Sequence, residues 1–377
     1  MDVPRTLVVT NDYPPRVGGI QRTVEAVVRQ LPPDRVGVVC PAWDGSPAFD
    51  AGAGYRVFRQ PERFLWPTPD AGRRVRAAIA EFGAEVVLFG AVYPLATLGP
   101  GLERRGTPYV SLAHGFEYWL SIAPGAHLWM RRATGRAARI AVCSEFIARV
   151  LRAAVPERVP VSVLYPGADP DAFHPDLPVD DLRERLGLSD RPVVVCVSRF
   201  VPRKGQDVLI RALPDIRRRV PDAALLLVGG GSYRPKLEAL AAATAPTGSV
   251  VFAGEVSEAD LPRFYRVGDV FAMPCRTRLG GLEVEGWGNV FIEAAACGLP
   301  VVVGDSGGAR ESLVDGVTGR LVDGRNVGEV ADAVSALLED PDRASAMGAA
   351  GRARVERHFS WTRVAHQLAR WLNEAAA

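Results

Sequence analysis

Three sets of chemically capable residues stand at the ends of apolar runs in this chain of 377 residues. The first is a carboxylate pair, Glu285 and Glu293, in a glycine-dense loop and short helix, RTRLGGLEVEGWGNVFIEAAACG. If all eight steps between them were helical, they would lie about 12 Å apart along the axis and roughly 80° apart around it. They would then be unable to pinch one small group, but could hold two ends of an elongated ligand. The second set is the cationic run SRFVPRKGQD, with Arg199, Arg203 and Lys204 within six residues. A forked guanidinium and a mobile ammonium together suit a diphosphate. The third is the turn TNDYPPRVGGIQ, with Asp12, Gly18, Gly19 and Gln21, together with His114 at the end of PYVSLAH.

The cations beyond an apolar run have a plain alternative, a solvated loop opening a helix. Lys204 argues against it, because this chain has only two lysines among its 45 basic residues. A cationic diphosphate site, a carboxylate for vicinal ribose hydroxyls (Glu293) and a second carboxylate for sugar hydroxyls (Glu285) describe a sugar nucleotide as ligand. Gly18-Gly19 reads either as an ordinary tight turn or as the opening of a helix N-terminus that receives a phosphate. It is not the GxGxxG fingerprint of dinucleotide folds.

Short apolar runs alternate with helix-period segments along the whole chain. TLVVTND, RVGVVCP, EVVLFG, PYVSLAH, IAVCS and VSVLYPGAD read as strands of a first half, with residues 41–69 loop-rich between them. PVVVCVS, AALLLVGGG, VVFAGEV, VFAMPC and PVVVGD repeat the plan, the last leading into a glycine-opened helix, GGARESL. Such alternation predicts two α/β domains with mostly parallel sheets covered on both faces. The expected divisions are residues 1–175 and 190–357, joined by the Pro- and Asp-rich DPDAFHPDLPVDD. The tail, with Trp361, Val364, Leu368 and Trp371 at helical spacing, wants an apolar partner and is expected to complete the first domain over about 358–377. Open α/β sheets bind at the C-terminal ends of their strands. Those ends hold Asn11–Gly19, His114, Ser198–Lys204, Gly229–Gly231, Cys275–Gly288 and Asp305–Gly308, from both halves, so the expected ligand site is a cleft between two facing domains.

Composition narrows the class. Net charge is +2 with acids and bases nearly balanced in each half, which argues against a nucleic-acid binder. Five scattered cysteines without a CxxC pair read as small core residues rather than disulfides or a metal site. A strand-like run follows almost at once on Met1, so no secretory leader is expected, and no apolar run approaches a membrane span.

These segments are together similar to retaining glycosyltransferases of the GT-B fold, family 4. The likeness lies in E-x7-E from Glu285 to Glu293, SRF-x3-KG at 198–205, YPGAD-x3-F at 165–173 and the early GG loop. Within the family, TNDYPPRVGGIQ, SRFVPRKGQD and RTRLGGLEVEG resemble most the phosphatidylinositol mannoside mannosyltransferases. One departure is Phe116, where that group's HGHE has a second histidine. The resemblance implies two Rossmann-like doubly wound domains and transfer of mannose from GDP-mannose to the inositol of a phosphatidylinositol mannoside, α-1,6-linked, with configuration retained. It implies His114, Arg199, Lys204 and Glu285 as catalytic residues. Donor contacts would come from Gly18, Gly19, Arg199, Arg203, Lys204, Gly229, Gly286, Asn289, Val290 and Glu293, and acceptor contacts from Asp12, Gln21 and His114. No metal and no cofactor are implied, since the Arg/Lys set does the work of a Mg²⁺. A lipid acceptor implies a cytoplasmic protein peripheral on the anionic inner face of the plasma membrane. Arg131, Arg132, Arg136 and Arg139 beside Trp119, Leu128 and Trp129, and Arg73, Arg74 and Arg76, offer such a surface. The competing readings are a family 4 enzyme with another nucleotide sugar and a soluble acceptor, and a nucleotide-sugar epimerase or hydrolase.

Overall fold

The computed structural model describes residues 1–115, 117–122 and 125–377, the side chain of Ile122 excepted. The chain forms two compact units, Met1–Pro166 with Trp361–Ala377, and Gly167–Ser360.

The first unit holds a seven-stranded sheet. In chain order its strands are β1 (Thr6–Val9), β2 (Val36–Pro41), β3 (Arg56–Gln60), β4 (Val86–Phe89), β5 (Tyr109–Ala113), β6 (Arg139–Val142) and β7 (Val161–Val163). Their order across the sheet is β3-β2-β1-β4-β5-β6-β7, and every described pair is parallel. The second unit repeats the pattern with β8 (Val193–Val197), β9 (Ala224–Val228), β10 (Val250–Gly254), β11 (Val270–Met273), β12 (Val301–Gly304) and β13 (Gly319–Val322). Its order is β10-β9-β8-β11-β12-β13. In each unit the strand order reverses once, between β1 and β4 and between β8 and β11. That switch point opens a crevice at the strands' C-terminal ends, because the loops there leave toward opposite faces.

The central strands are continuous Val, Leu and Phe because helices cover both their faces. β1, β4, β8 and β11 are buried throughout. Two sequence expectations change. The stretch 41–69 contains β3 and a helix, Ser46–Ala51. β3, RVFRQ, is an edge strand with Arg56 exposed, so it lacks the apolar run that marks a central strand. GGARESL forms only a 3₁₀ turn, Ala309–Ser312.

The C-terminal helix Trp361–Ala376 buries Val364, Ala365, Leu368, Ala369, Trp371 and Leu372, all but Ala365 in one core with Val24, Val27 and Val28 of the helix Gly19–Gln30. Each Val or Leu side chain so removed from water contributes about 1.5–3 kcal/mol. Gln367 donates to Val163 O (3.1 Å) and Asn373 to Asp2 O (3.0 Å). In the second unit the segment after Pro166 is fastened by Arg352, which donates to Phe173 O (3.1 Å) and Ala296 O (2.6 Å). All five cysteines are buried and none is in a disulfide.

Helix starts at the site differ from the side-chain-capped ones. Thr68, Ser144, Asn326 and Asp340 each cap a helix with a side-chain oxygen. The helices Gly19–Gln30, Gln206–Arg219 and Asn289–Ala296 instead follow Gly18, Gly205 and Gly288, with no side-chain cap. Their first N–H groups keep no side-chain acceptor of that kind.

Candidate active site

In the second unit the two switch-point loops are locked together. Gly205 has φ 80°, and a Cβ there would lie 2.1 Å from Pro274 O, so only glycine allows the approach. Arg276 N donates to Arg203 O (2.9 Å), and the Arg276 guanidinium binds both oxygens of Asp207 at 2.9 Å. This brings the cationic run and the glycine-dense loop into contact. Lys204 Nζ lies 2.7 Å and Arg203 Nη1 2.8 Å from the same Glu285 oxygen, Oε2. Lys204 and Glu285 are both buried. Burial alone would raise the Glu285 pKa, but the charges and hydrogen bonds of Lys204 and Arg203 outweigh it and hold the carboxyl below its ordinary 4.5.

The helical estimate for the carboxylate spacing fails here, because the helix begins only at Asn289 and Gly288 adopts φ 92°. Glu285 therefore sits on the cations instead of standing at a distance from them. Its backbone is fixed as well: its N–H donates to Ser306 Oγ (3.2 Å) and its carbonyl accepts from Gly308 N (2.9 Å). Gly307, at φ 55°, lies under it, and a Cβ there would come within 2.2 Å of the Glu285 carbonyl oxygen. Glu283, the other acid of the loop, pairs with Arg278 at 2.8 Å.

Glu293 is buried on the helix Asn289–Ala296 and accepts a hydrogen bond from the Tyr265 hydroxyl (2.6 Å). Asn289 and Val290 form the first turn of that helix, and Gly286 is half-buried before it. Gly229 ends β9 under the cationic run, where a Cβ would meet Ser198 O at 2.2 Å. Arg199 is exposed, and among the described residues its guanidinium has no hydrogen bond or ion pair. The set thus offers one unpaired cation beside two cations that share a carboxylate. Sequence reasoning missed Tyr265, Asp207 and Ser306. Tyr265 lies in an ordinary amphipathic pattern, and Asp207 looks like a helix-start acid.

In the first unit Asp12, Gln21 and His114 gather at the ends of β1 and β5. Gln21 Nε2 donates to Asp12 Oδ1 (2.7 Å), and Arg16 lies 3.7 Å from the same oxygen. Burial raises the Asp12 pKa, opposed by the charges of Arg16 and His114. The Gln21 side chain fills the space over Gly18, where a Cβ would come within 2.3 Å of Oε1. His114 Nε2 lies 2.7 Å from Gly90 O, and since a carbonyl only accepts, Nε2 carries the proton. Phe116 falls outside the described residues. Within each unit the expected residues assemble, donor candidates in the second and acceptor candidates in the first, with Gly18 and Gly19 in the first.

Two parallel Rossmann-like units and a cationic, carboxylate-bearing switch point define a GT-B glycosyltransferase, and the chain belongs to glycosyltransferase family 4. Residues 17–172 match Glycosyltransferase Family 4 and residues 179–354 match Glycosyl transferases group 1. The chain is 46% identical over 373 residues to the GDP-mannose-dependent alpha-(1-6)-phosphatidylinositol monomannoside mannosyltransferase of Mycolicibacterium smegmatis, covering 97% of this chain and 98% of that one. It is 38% identical over 370 residues to the corresponding monoacylated-substrate enzyme of Corynebacterium glutamicum, covering 97% and 96%. Among solved structures, Anabaena Alr3699/HepE in complex with UDP and glucose has the same fold, with TM-score 0.82, 21% identity, and 98% of this chain and 100% of that one covered.

Proposed function

We propose that this glycosyltransferase moves mannose from GDP-mannose to an inositol hydroxyl of a phosphatidylinositol mannoside, forming an α-1,6 linkage with retained configuration. The observation that carries the reading is the buried Lys204–Glu285 pair joined by half-buried Arg203, with Arg199 unpaired among the described residues, in a chain whose full-length relatives bear that activity in their names. In the reaction the bond from the anomeric carbon to the phosphate oxygen breaks, and its electron pair leaves with the diphosphate. The inositol oxygen bonds to the same face of the anomeric carbon, and its proton passes to the departing phosphate. Negative charge grows most on the diphosphate, so Arg199 and Lys204 act more strongly in the transition state than in the ground state. Glu285 holds the Lys204 ammonium in place through their 2.7 Å ion pair, and meets the sugar hydroxyls. Glu293 takes the ribose hydroxyls, and Gly229, Gly286, Asn289 and Val290 supply close backbone. His114 stands by the positive charge at the anomeric carbon, with Asp12 and Gln21 toward the acceptor. These cations supply the charge stabilisation a metal would otherwise give, so the reading needs neither metal nor cofactor.

The same reading places the protein at the cytoplasmic face of an anionic membrane. No described helix is long and apolar enough to cross a bilayer. The first unit carries an open depression of about 800 Å³ rimmed by arginines. Of these, Arg76, Arg104, Arg105, Arg131 and Arg132 have no acid partner among the described residues. An aromatic run adjoins it: Phe64 to Trp66 at 4.8 Å, Trp66 to Tyr93 at 6.4 Å and Tyr93 to Trp129 at 5.3 Å. Trp66 and Leu128 are more than half exposed. Cations beside interfacial aromatics suit an anionic headgroup layer.

The test is an assay of purified protein against a panel of nucleotide sugars, with phosphatidylinositol monomannoside as acceptor. Mannolipid product from GDP-mannose is expected. Turnover with a UDP-sugar alone would sink the reading. Sedimentation with anionic liposomes at low salt is expected, and its failure would remove the membrane surface.

A further inference from the structure

Glu117 is buried at the start of the short helix Glu117–Ile122, with no ion pair among the described residues. A carboxylate in that position is costly unless each oxygen finds a donor. Both do, and both donors belong to site loops. Oε1 accepts from Val92 N, just beyond β4, and Oε2 accepts from His114 N at the end of β5, each at 3.1 Å. The ring of His114 reaches back to the β4 loop, where Nε2 donates to Gly90 O at 2.7 Å. Gly90 itself is fitted against Thr10 after β1: a Cβ there would meet Thr10 Oγ1 at 2.5 Å. One carboxylate thus ties together the loop that holds the imidazole and the peptide that bears it. The chemistry demands a carboxylate, because two N–H donors face it. A glutamine can accept from one, but its amide N–H₂ then opposes the other.

We propose that Glu117 is the positioning residue for His114, setting the imidazole by clamping the β4 and β5 loops. This rests on the reading that His114 serves the transfer reaction. Misplacing a reacting group by about 1 Å can cost about 10²-fold in rate. If Glu117 acts only through His114, its loss cannot matter once His114 is gone.

The experiment is a double-mutant cycle with Glu117→Gln and His114→Ala, using the full chain and whichever nucleotide sugar and acceptor the wild type turns over. A wrong donor therefore sinks the mannosyl reading and leaves this inference open to test. Expected are a fall in kcat of about 30-fold or more for Glu117→Gln, with donor KM held, and a double variant within about twofold of His114→Ala. Additive losses would overturn the inference, as would a Glu117→Gln rate within about twofold of wild type. Should Glu117→Gln fail to fold, Glu117→Asp, which keeps two acceptor oxygens on a shorter arm, carries the same expectation and the same refutation.

Discussion

The two units share one strand order and arm it differently. At the switch point of the second, charges are paired in or near the interior: buried Lys204 and half-buried Arg203 on buried Glu285, and Arg276 on Asp207, with a cation in excess. At the first, the site residues hold one another and the backbone by hydrogen bonds, with Gln21 on Asp12, His114 on Gly90 and Glu117 on two N–H groups. Five first-unit arginines without an acid partner among the described residues, Arg76, Arg104, Arg105, Arg131 and Arg132, line an open depression. A fixed low-dielectric charge set suits a ligand whose own charge changes in the reaction, because no reorganisation is needed as the leaving group forms. A lattice of hydrogen bonds suits hydroxyl recognition. On the proposed reading, the same scaffold serves the nucleotide sugar on the second unit and the acceptor's hydroxyls on the first.

That contrast can be broken most severely at Lys204. Replacement by Ala should cost about 10²-fold or more in turnover, and a near-normal rate would remove it from the mechanism. Reversing both Arg131 and Arg132 to Glu should weaken binding to anionic vesicles at least about 30-fold, while transfer to a water-soluble acceptor holds steady. An equal loss with the soluble acceptor would make these arginines part of the site. Tyr265→Phe removes the hydroxyl that donates to Glu293 and should raise donor KM about fivefold; an unchanged KM would show that this bond does not orient the carboxylate. The pH response is smaller near neutrality. Glu285 is held below its ordinary 4.5, so its contribution to stability is complete above pH 4.5 and is lost as pH falls toward the folded value. Acid melts should decline more steeply below pH 4.5 in the wild type than in Glu285→Gln; parallel curves would contradict the pairing. Smallest of all, chelator treatment should leave turnover unchanged, and a loss restored by a divalent cation would reinstate a metal.

Much of this was legible in the sequence, because buried parallel strands write themselves as apolar runs and glycine turns mark their ends. The cationic run, His114 and Glu285 could be placed at strand termini, and Glu293 on the helix that follows, without coordinates. What was not legible came from contacts across the fold. The Glu285–Lys204 bond spans 81 residues and depends on the glycine approach of Gly205 to Pro274, which no spacing rule encodes. β3 stayed hidden because an edge strand is half-polar. Tyr265 looked like core because its ring is core, and only its hydroxyl reaches Glu293.

The division of labour is tested most directly by measuring GDP affinity and acceptor KM on one variant from each unit, Lys204→Ala and Gln21→Ala. The account predicts GDP binding weakened about tenfold or more in Lys204→Ala, and unchanged in Gln21→Ala, whose acceptor KM rises instead. Equal weakening of GDP binding in both, with acceptor KM unmoved, would contradict it.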